Sequence, residues 1–159
     1  MSVKHLIDIQ VEEQVGPVDT RPLREAVVTT LKLLGVTEPC EVVVVISDDE
    51  SLQALNRRFL GIDRPTDVLS FANDTRGPFA AGSGGFPRYL GDIVISVERA
   101  RSQVDAVGGT LIQELQLLTV HGVLHLLGYD HAEPAEKAQM WAAQDAILKQ
   151  LGLDLPLPE

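Results

Sequence analysis

The chain has a single cysteine, Cys40, among its 159 residues. That excludes an internal disulfide and any zinc site built on paired thiolates, and it suits a reducing compartment. Long apolar stretches are missing as well. No run approaches the ~20 residues that span a bilayer, and residues 1–9 lack the apolar centre of a secretory leader. The expectation is a cytoplasmic protein with no membrane partner. Positive charge is scarce: 13 Lys and Arg stand against 23 Asp and Glu, a formal net charge of −10. Such a balance argues against a general nucleic-acid binder, because phosphate contacts need cations, and DNA is not an expected partner. Internal repeats, low-complexity tracts and domain linkers are also absent. The chain therefore reads as one domain, residues 1–159, long enough to bury a real core.

The charge that is present is unevenly spread. Residues 1–56 and 102–159 are strongly acidic, while residues 57–101 hold seven arginines (Arg57, Arg58, Arg64, Arg76, Arg88, Arg99, Arg101) against five acids. A local basic face in the middle third is one reading, and a solvated arginine-rich surface is the other.

Three of the four histidines fall between His121 and His131, in the pattern H-x3-H-x5-H with Gly128 three past the second. On a helix, residues four apart share a face about 6 Å apart along the axis, so His121 and His125 can address one ion. Gly128 suits the left-handed conformation that ends a helix, after which the chain can double back to bring in His131. Three imidazoles suit tetrahedral zinc with its fourth position open to water, the mark of a catalytic metal. Other divalent ions, nickel among them, accept the same ligands. The pattern resembles the metzincin zinc signature with one departure: Gly122 stands where zinc proteases carry the glutamate that acts as general base. The metal geometry is kept and the protease chemistry is not.

Around this stretch the pattern predicts a strand over Val3–Val11, then a helix capped by Asp19 or Thr20 and closed by Gly35. The β-branched run from Glu41 to Ser47 predicts a strand covered on both faces. Ser47 or Asp48 then caps a helix running to Phe59. Strands over Thr66–Phe71 and Tyr89–Ser96 flank a Gly/Pro-rich loop, 73–88, and pair as a long-looped hairpin. A helix over Val97–Val107 follows. Thr110 and Gln113 form a capping box for a largely apolar, hence central, helix running to Leu127. A final helix starts at Glu133-Pro134 and ends at Gly152. The fold class is α+β: a small four-stranded mixed sheet packed with about five helices, the central one carrying the histidines.

Taken alone, Thr66 and Asp67 read as turn residues, and Asp92 as a solvated or turn-bonding carboxylate at a strand start. Together with the histidines they carry a likeness. Pro65-Thr66-Asp67-Val68-Leu69-Ser70-Phe71, Leu90-Gly91-Asp92-Ile93-Val94-Ile95-Ser96 and His121–His131, in that order, resemble the YbeY family of bacterial endoribonucleases, the ribosomal RNA maturation factors. The likeness extends over most of the chain. It implies a metal-dependent hydrolase that cuts single-stranded RNA, matures the 3′ end of small-subunit ribosomal RNA and serves ribosome quality control, with the small subunit as partner. It also implies one zinc per chain on His121, His125 and His131. One departure is plain: many relatives carry an RNA-engaging arginine just before the Gly61 position, where this chain has Leu60. Arg57, Arg58 or Arg64 can supply the charge from one turn away.

The mechanism expected is zinc-assisted phosphodiester hydrolysis, in which zinc-bound water attacks and nearby arginines stabilise the phosphate. With Gly122 inert, the proton passes to bulk water, to the substrate phosphate or to a carboxylate. Asp130 is the nearest carboxylate in sequence, with turn capping or histidine orientation as its other reading. Attack by the ribose 2′-hydroxyl is a further route. Two other functional classes stand beside this one: a zinc peptidase, and a non-catalytic ribosome-associated factor that zinc merely stabilises.

Overall fold

The computed structural model describes residues 4–73 and 87–153. Its elements in chain order are β1 (Leu6–Val11), a 3-10 turn (Glu13–Val15), α1 (Arg21–Leu33), β2 (Cys40–Ser47), α2 (Asp49–Leu60), β3 (Val68–Ala72), β4 (Arg88–Ser96), α3 (Val97–Val107), α4 (Leu111–Leu126) and α5 (Pro134–Gln150). The four strands form one mixed sheet in the order β1-β2-β4-β3. β1, β2 and β4 run parallel, and β3 lies antiparallel on the edge beside β4. The architecture is α+β with five helices, as the pattern of the sequence leads one to expect.

Parallel neighbours need crossovers, and these place helices on the sheet. Val42, Val44 and Ile46 of β2 are fully buried in a core shared with α1, β4 and α4. The residues between them, Val43 and Val45, are only partly buried. The cover is thus unequal, which corrects the expectation of a strand covered on both faces. Among the described residues, the second face meets only the smaller cluster of Leu52, Leu69 and Val94, with Val45, Leu55 and Phe71 packed against it.

α4 is the helix that the rest surrounds. It touches α1, α3, α5, β3 and β4, and Leu115, Leu118, Val120, Val123 and Leu124 along it are buried. Its start is fixed by the expected capping box. The Gln113 amide donates to Thr110 Oγ1 (3.2 Å), and the Thr110 amide donates to Gln113 Oε1 (3.0 Å). Two of the helix's orphan N–H groups are satisfied in this way.

Several boundaries differ from expectation. β1 begins at Leu6, and His5 before it accepts the Cys40 amide on Nδ1 (3.0 Å), tying the start of β2 to β1. β3 begins at Val68, which leaves Thr66 and Asp67 in the approach to it. The hairpin forms as expected, with Val68 opposite Ile95 and Ala72 opposite Gly91; of the loop between its strands, residues 74–86 lie outside the described residues. β4 begins at Arg88, so Asp92 sits inside the strand and not at its start. There it accepts a hydrogen bond from the Tyr89 hydroxyl.

Candidate metal centre

His121 and His125 project from the last two turns of α4, an otherwise apolar helix. Leu127 closes the helix, and Gly128 follows with φ +99°, a conformation that side chains with a Cβ rarely adopt. The Tyr129 amide donates back to the Leu124 carbonyl (3.0 Å), turning the chain over the helix end. Asp130 Oδ1 accepts the His131 amide (2.7 Å) and braces the turn. His131 then stands beside the other two. Ring centroids are 4.7 Å apart for His121 and His125, 5.9 Å for His121 and His131, and 5.3 Å for His125 and His131. One nitrogen from each ring lies within 4.8 Å of the others, and the Nε2 atoms of His121 and His125 are 3.1 Å apart.

The protonation state suits a ligand. Burial first, and then the neighbouring His125, lower the His121 pKa to about 4. Burial and then His131 lower that of His125 as well. Both rings are neutral near pH 7, as coordination requires. Gln144 of α5 supplies orientation: its Oε1 lies 3.1 Å from His121 Nδ1. An amide oxygen can only accept, so Nδ1 carries the proton and the Nε2 lone pair is left for the centre. The Trp141 ring packs near His121 and His131, at 5.8 and 5.9 Å. Three imidazole nitrogens, one held in its tautomer from behind, make a donor set that fits a divalent ion such as zinc.

The centre opens into a cleft of about 530 Å³ walled by the three histidines, Tyr129, Asp130, Leu60 and the residues from Thr66 to Ser70. Of the expected site residues, the structure brings together His121, His125, His131 and Asp130. Arg57, Arg58 and Arg64 stand outside the cleft lining, on and just after the end of α2. Arg57 makes an exposed ion pair with Asp63 (3.8 Å), Arg58 lies over the Phe59 ring, and the Arg64 carbonyl accepts from Asn56 Nδ2 (2.9 Å).

Two contributors escaped the reading of the sequence. Gln144 occupies an otherwise apolar stripe of α5 with Met140, Ile147 and Leu148; a lone amide in such a stripe was the available signal. Asp67 lines the cleft, and its carboxylate accepts from Gln103 Nε2 (3.0 Å) while its carbonyl accepts the Ser96 amide (2.8 Å). Glu114, buried in the first turn of α4, has its pKa raised by burial and then by Asp67.

Gly122 has a structural reason. A Cβ there would lie 2.7 Å from Ile93 Cγ2, inside the core. A glutamate at that position would have to push the buried Ile93 side chain of β4 aside, so the site is poorly suited to the catalytic base of a zinc protease. The family model described as Endoribonuclease YbeY matches residues 8–152. The chain belongs to the YbeY endoribonuclease family. The endoribonuclease YbeY of Roseiflexus castenholzii is 45% identical over 150 residues, covering 93% of this chain and 94% of the relative. That of Chloroflexus aurantiacus is 43% identical over 150 residues, covering 94% and 97%. A Thermotoga maritima protein solved in solution shares the fold, with a TM-score of 0.60 at 26% identity over 92% of this chain and 89% of that one. In this YbeY chain the three motifs, far apart in sequence, meet in space. Ser70 Oγ donates to the Gly122 carbonyl (3.3 Å), and Gly122 rests on Ile93, so β3, β4 and the histidine helix lock together.

Proposed function

We propose that this YbeY-family chain, acting as one domain over residues 1–159, is a zinc-dependent endoribonuclease specific for single strands. Its place is the cytoplasm, where it trims the 3′ end of small-subunit ribosomal RNA and takes part in ribosome quality control. The observation that carries this reading is the convergence of three imidazole nitrogens within 4.8 Å at the head of an open cleft.

His121, His125 and His131 would hold the ion. When bound, zinc supplies Lewis acidity, bringing the pKa of water toward about 7 and polarising a phosphoryl oxygen. The residues of the chain do the remainder. Gln144 keeps His121 in the tautomer that presents Nε2. Asp130 fixes the turn that brings His131 in and, as part of the cleft wall, offers a carboxylate to accept a proton. Arg57, Arg58 and Arg64 offer charge to the phosphates that flank the cleft. The steric conflict at Gly122 weighs against a peptidase.

The test pairs metal content with cleavage. Elemental analysis of freshly purified protein is expected to find stoichiometric zinc, lost in His121→Ala. Labelled single-stranded ribosomal RNA is expected to be cut by the wild type, and duplex RNA and DNA to be left whole. His121→Ala, with its helical circular dichroism retained, is expected to lose cleavage. RNA cutting that survives both chelation and His121→Ala would refute the zinc mechanism. Metal held without any cutting would favour a structural ion.

A further inference from the structure

The end of α2 and the turn after it present what a protein surface usually hides. Phe59 is 56% exposed, Leu60 58% and Ile62 39%. Single exposed apolar side chains are ordinary, but adjoining ones beside a functional cleft mark an interaction site. Phe59 is also one of only four phenylalanines in the chain, so its waste on solvent is not forced by composition. Its ring is held in place. It meets Phe71 of β3 edge-on, with centroids 5.3 Å apart at 62°, and the Arg58 guanidinium lies 5.2 Å from its centroid. Leu60, the next residue, lines the same cleft as the three histidines. The apolar rim is therefore continuous with the proposed active site.

The chemistry of the rim selects its occupant. An anchored aromatic ring with a cation against it, at the mouth of a cleft, offers a π-surface and a phosphate partner within one side chain of each other. Among the described residues no carboxylate lies within ion-pair distance of Arg58 or Arg64, whereas Arg57 is paired with Asp63. Unpaired among the described residues, these two arginines offer their charge to an anion in a chain that is otherwise acidic. Unpaired nucleotides present both an open base face and a phosphate, and proteins that bind single strands hold them by aromatic stacking and arginine contacts. A duplex keeps its base faces covered by their neighbours and has nothing to offer the ring.

We propose that Phe59 is a stacking platform for an unpaired base of the substrate, with Arg58 engaging the adjoining phosphate and Leu60 leading the strand from the ring to the histidines. The proposal rests on the endoribonuclease reading and adds to it a source for single-strand selectivity. Phe59 is a substrate-binding residue in this view, remote from the reacting bond.

The probe is a nuclease-resistant 2′-O-methyl RNA single strand carrying 2-aminopurine, titrated with zinc-loaded protein. Stacking on the ring quenches the probe. The wild type and Phe59→Tyr are expected to bind with equal affinity and equal quenching. Phe59→Leu keeps an apolar contact to Phe71 but removes the ring, and is expected to bind about tenfold more weakly, the scale of one stacked base, with the quench lost. Thermal melts check that Phe59→Leu remains folded, and Phe59→Trp, which is expected to bind at least as tightly as wild type, gives a second reading should it not. Equal binding and quenching in Phe59→Leu, in a protein whose wild type cuts RNA, would overturn the platform alone. A wild type that neither binds nor cuts RNA would overturn the endoribonuclease reading and the platform together. If Phe59→Leu leaves RNA binding intact but abolishes self-association by gel filtration, the rim is a contact between copies and the proposal fails.

Discussion

Gln144 is a buried polar side chain whose Oε1 faces His121 and whose Nε2 has no hydrogen-bond partner among the described residues. A buried N–H without a partner costs stability, so the amide is a poor choice for packing alone. Its value lies in the tautomer that it enforces on His121. The two roles separate in Gln144→Leu. Outer partners of metal-bound histidines are worth about 10–100-fold in metal affinity, and a loss of that size is expected by competition with a chromophoric chelator. Since leucine removes one unsatisfied donor from the core and leaves another on His121 Nδ1, the metal-free variant is expected to melt close to the metal-free wild type. A large drop in melting temperature with unchanged zinc affinity would assign Gln144 to packing instead.

At the scale of the element, the hairpin that walls the cleft depends on one glycine. β4 carries an extra residue relative to β2, its register slipping between Tyr89 and Gly91 opposite Glu41 and Val42. Gly91 takes φ +143°, and a Cβ there would lie 2.2 Å from the Phe71 carbonyl oxygen and 2.9 Å from Leu126 Cδ2. A bulge at this point lets β3, β4 and the end of α4 approach closely. Gly91→Ala combines backbone strain with overpacking, roughly 2–4 kcal/mol together, and a fall in melting temperature on the order of 10 °C is expected. A variant that melts like the wild type would mean that the hairpin relaxes freely.

The same elements show what local sequence can and cannot convey. The span of α3 and the capping box of α4 were readable because Ser96, Thr110 and Gln113 act within one turn of themselves. The three histidines were readable because spacing on one helix and a turn after it decides their convergence. Asp67 was not: its place in the cleft depends on Gln103 from α3 and on the pairing of β3 with β4. Nor was the unequal cover of β2, since a β-branched run looks the same whether its second face meets a full layer of helices or only α2. Gln144 required knowing that α5 lies against His121.

For the whole molecule, charge sets how RNA is approached. The acidic segments 1–56 and 102–159 surround a middle third that alone carries excess arginine, within a net charge of −10. Binding by a broad cationic surface is therefore closed to this chain, and attraction must be local, at the arginines on and just after the end of α2. Each phosphate neutralised on a single strand contributes about −0.7 to the slope of log affinity against log salt. With Arg58 and Arg64 free of ion pairs among the described residues and Arg57 held by Asp63 only at the surface, two or three contacts are available, which gives a slope of about −1.4 to −2. Repulsion between RNA and the acidic flanks is screened by the same salt and makes the slope shallower still. Titrations of single-stranded RNA across salt concentrations are expected to show this weak dependence, and Arg58→Ala to reduce it by about one contact. A slope of −4 or steeper would demand a cationic surface that the described residues do not possess, and would move the RNA path away from the rim of the cleft.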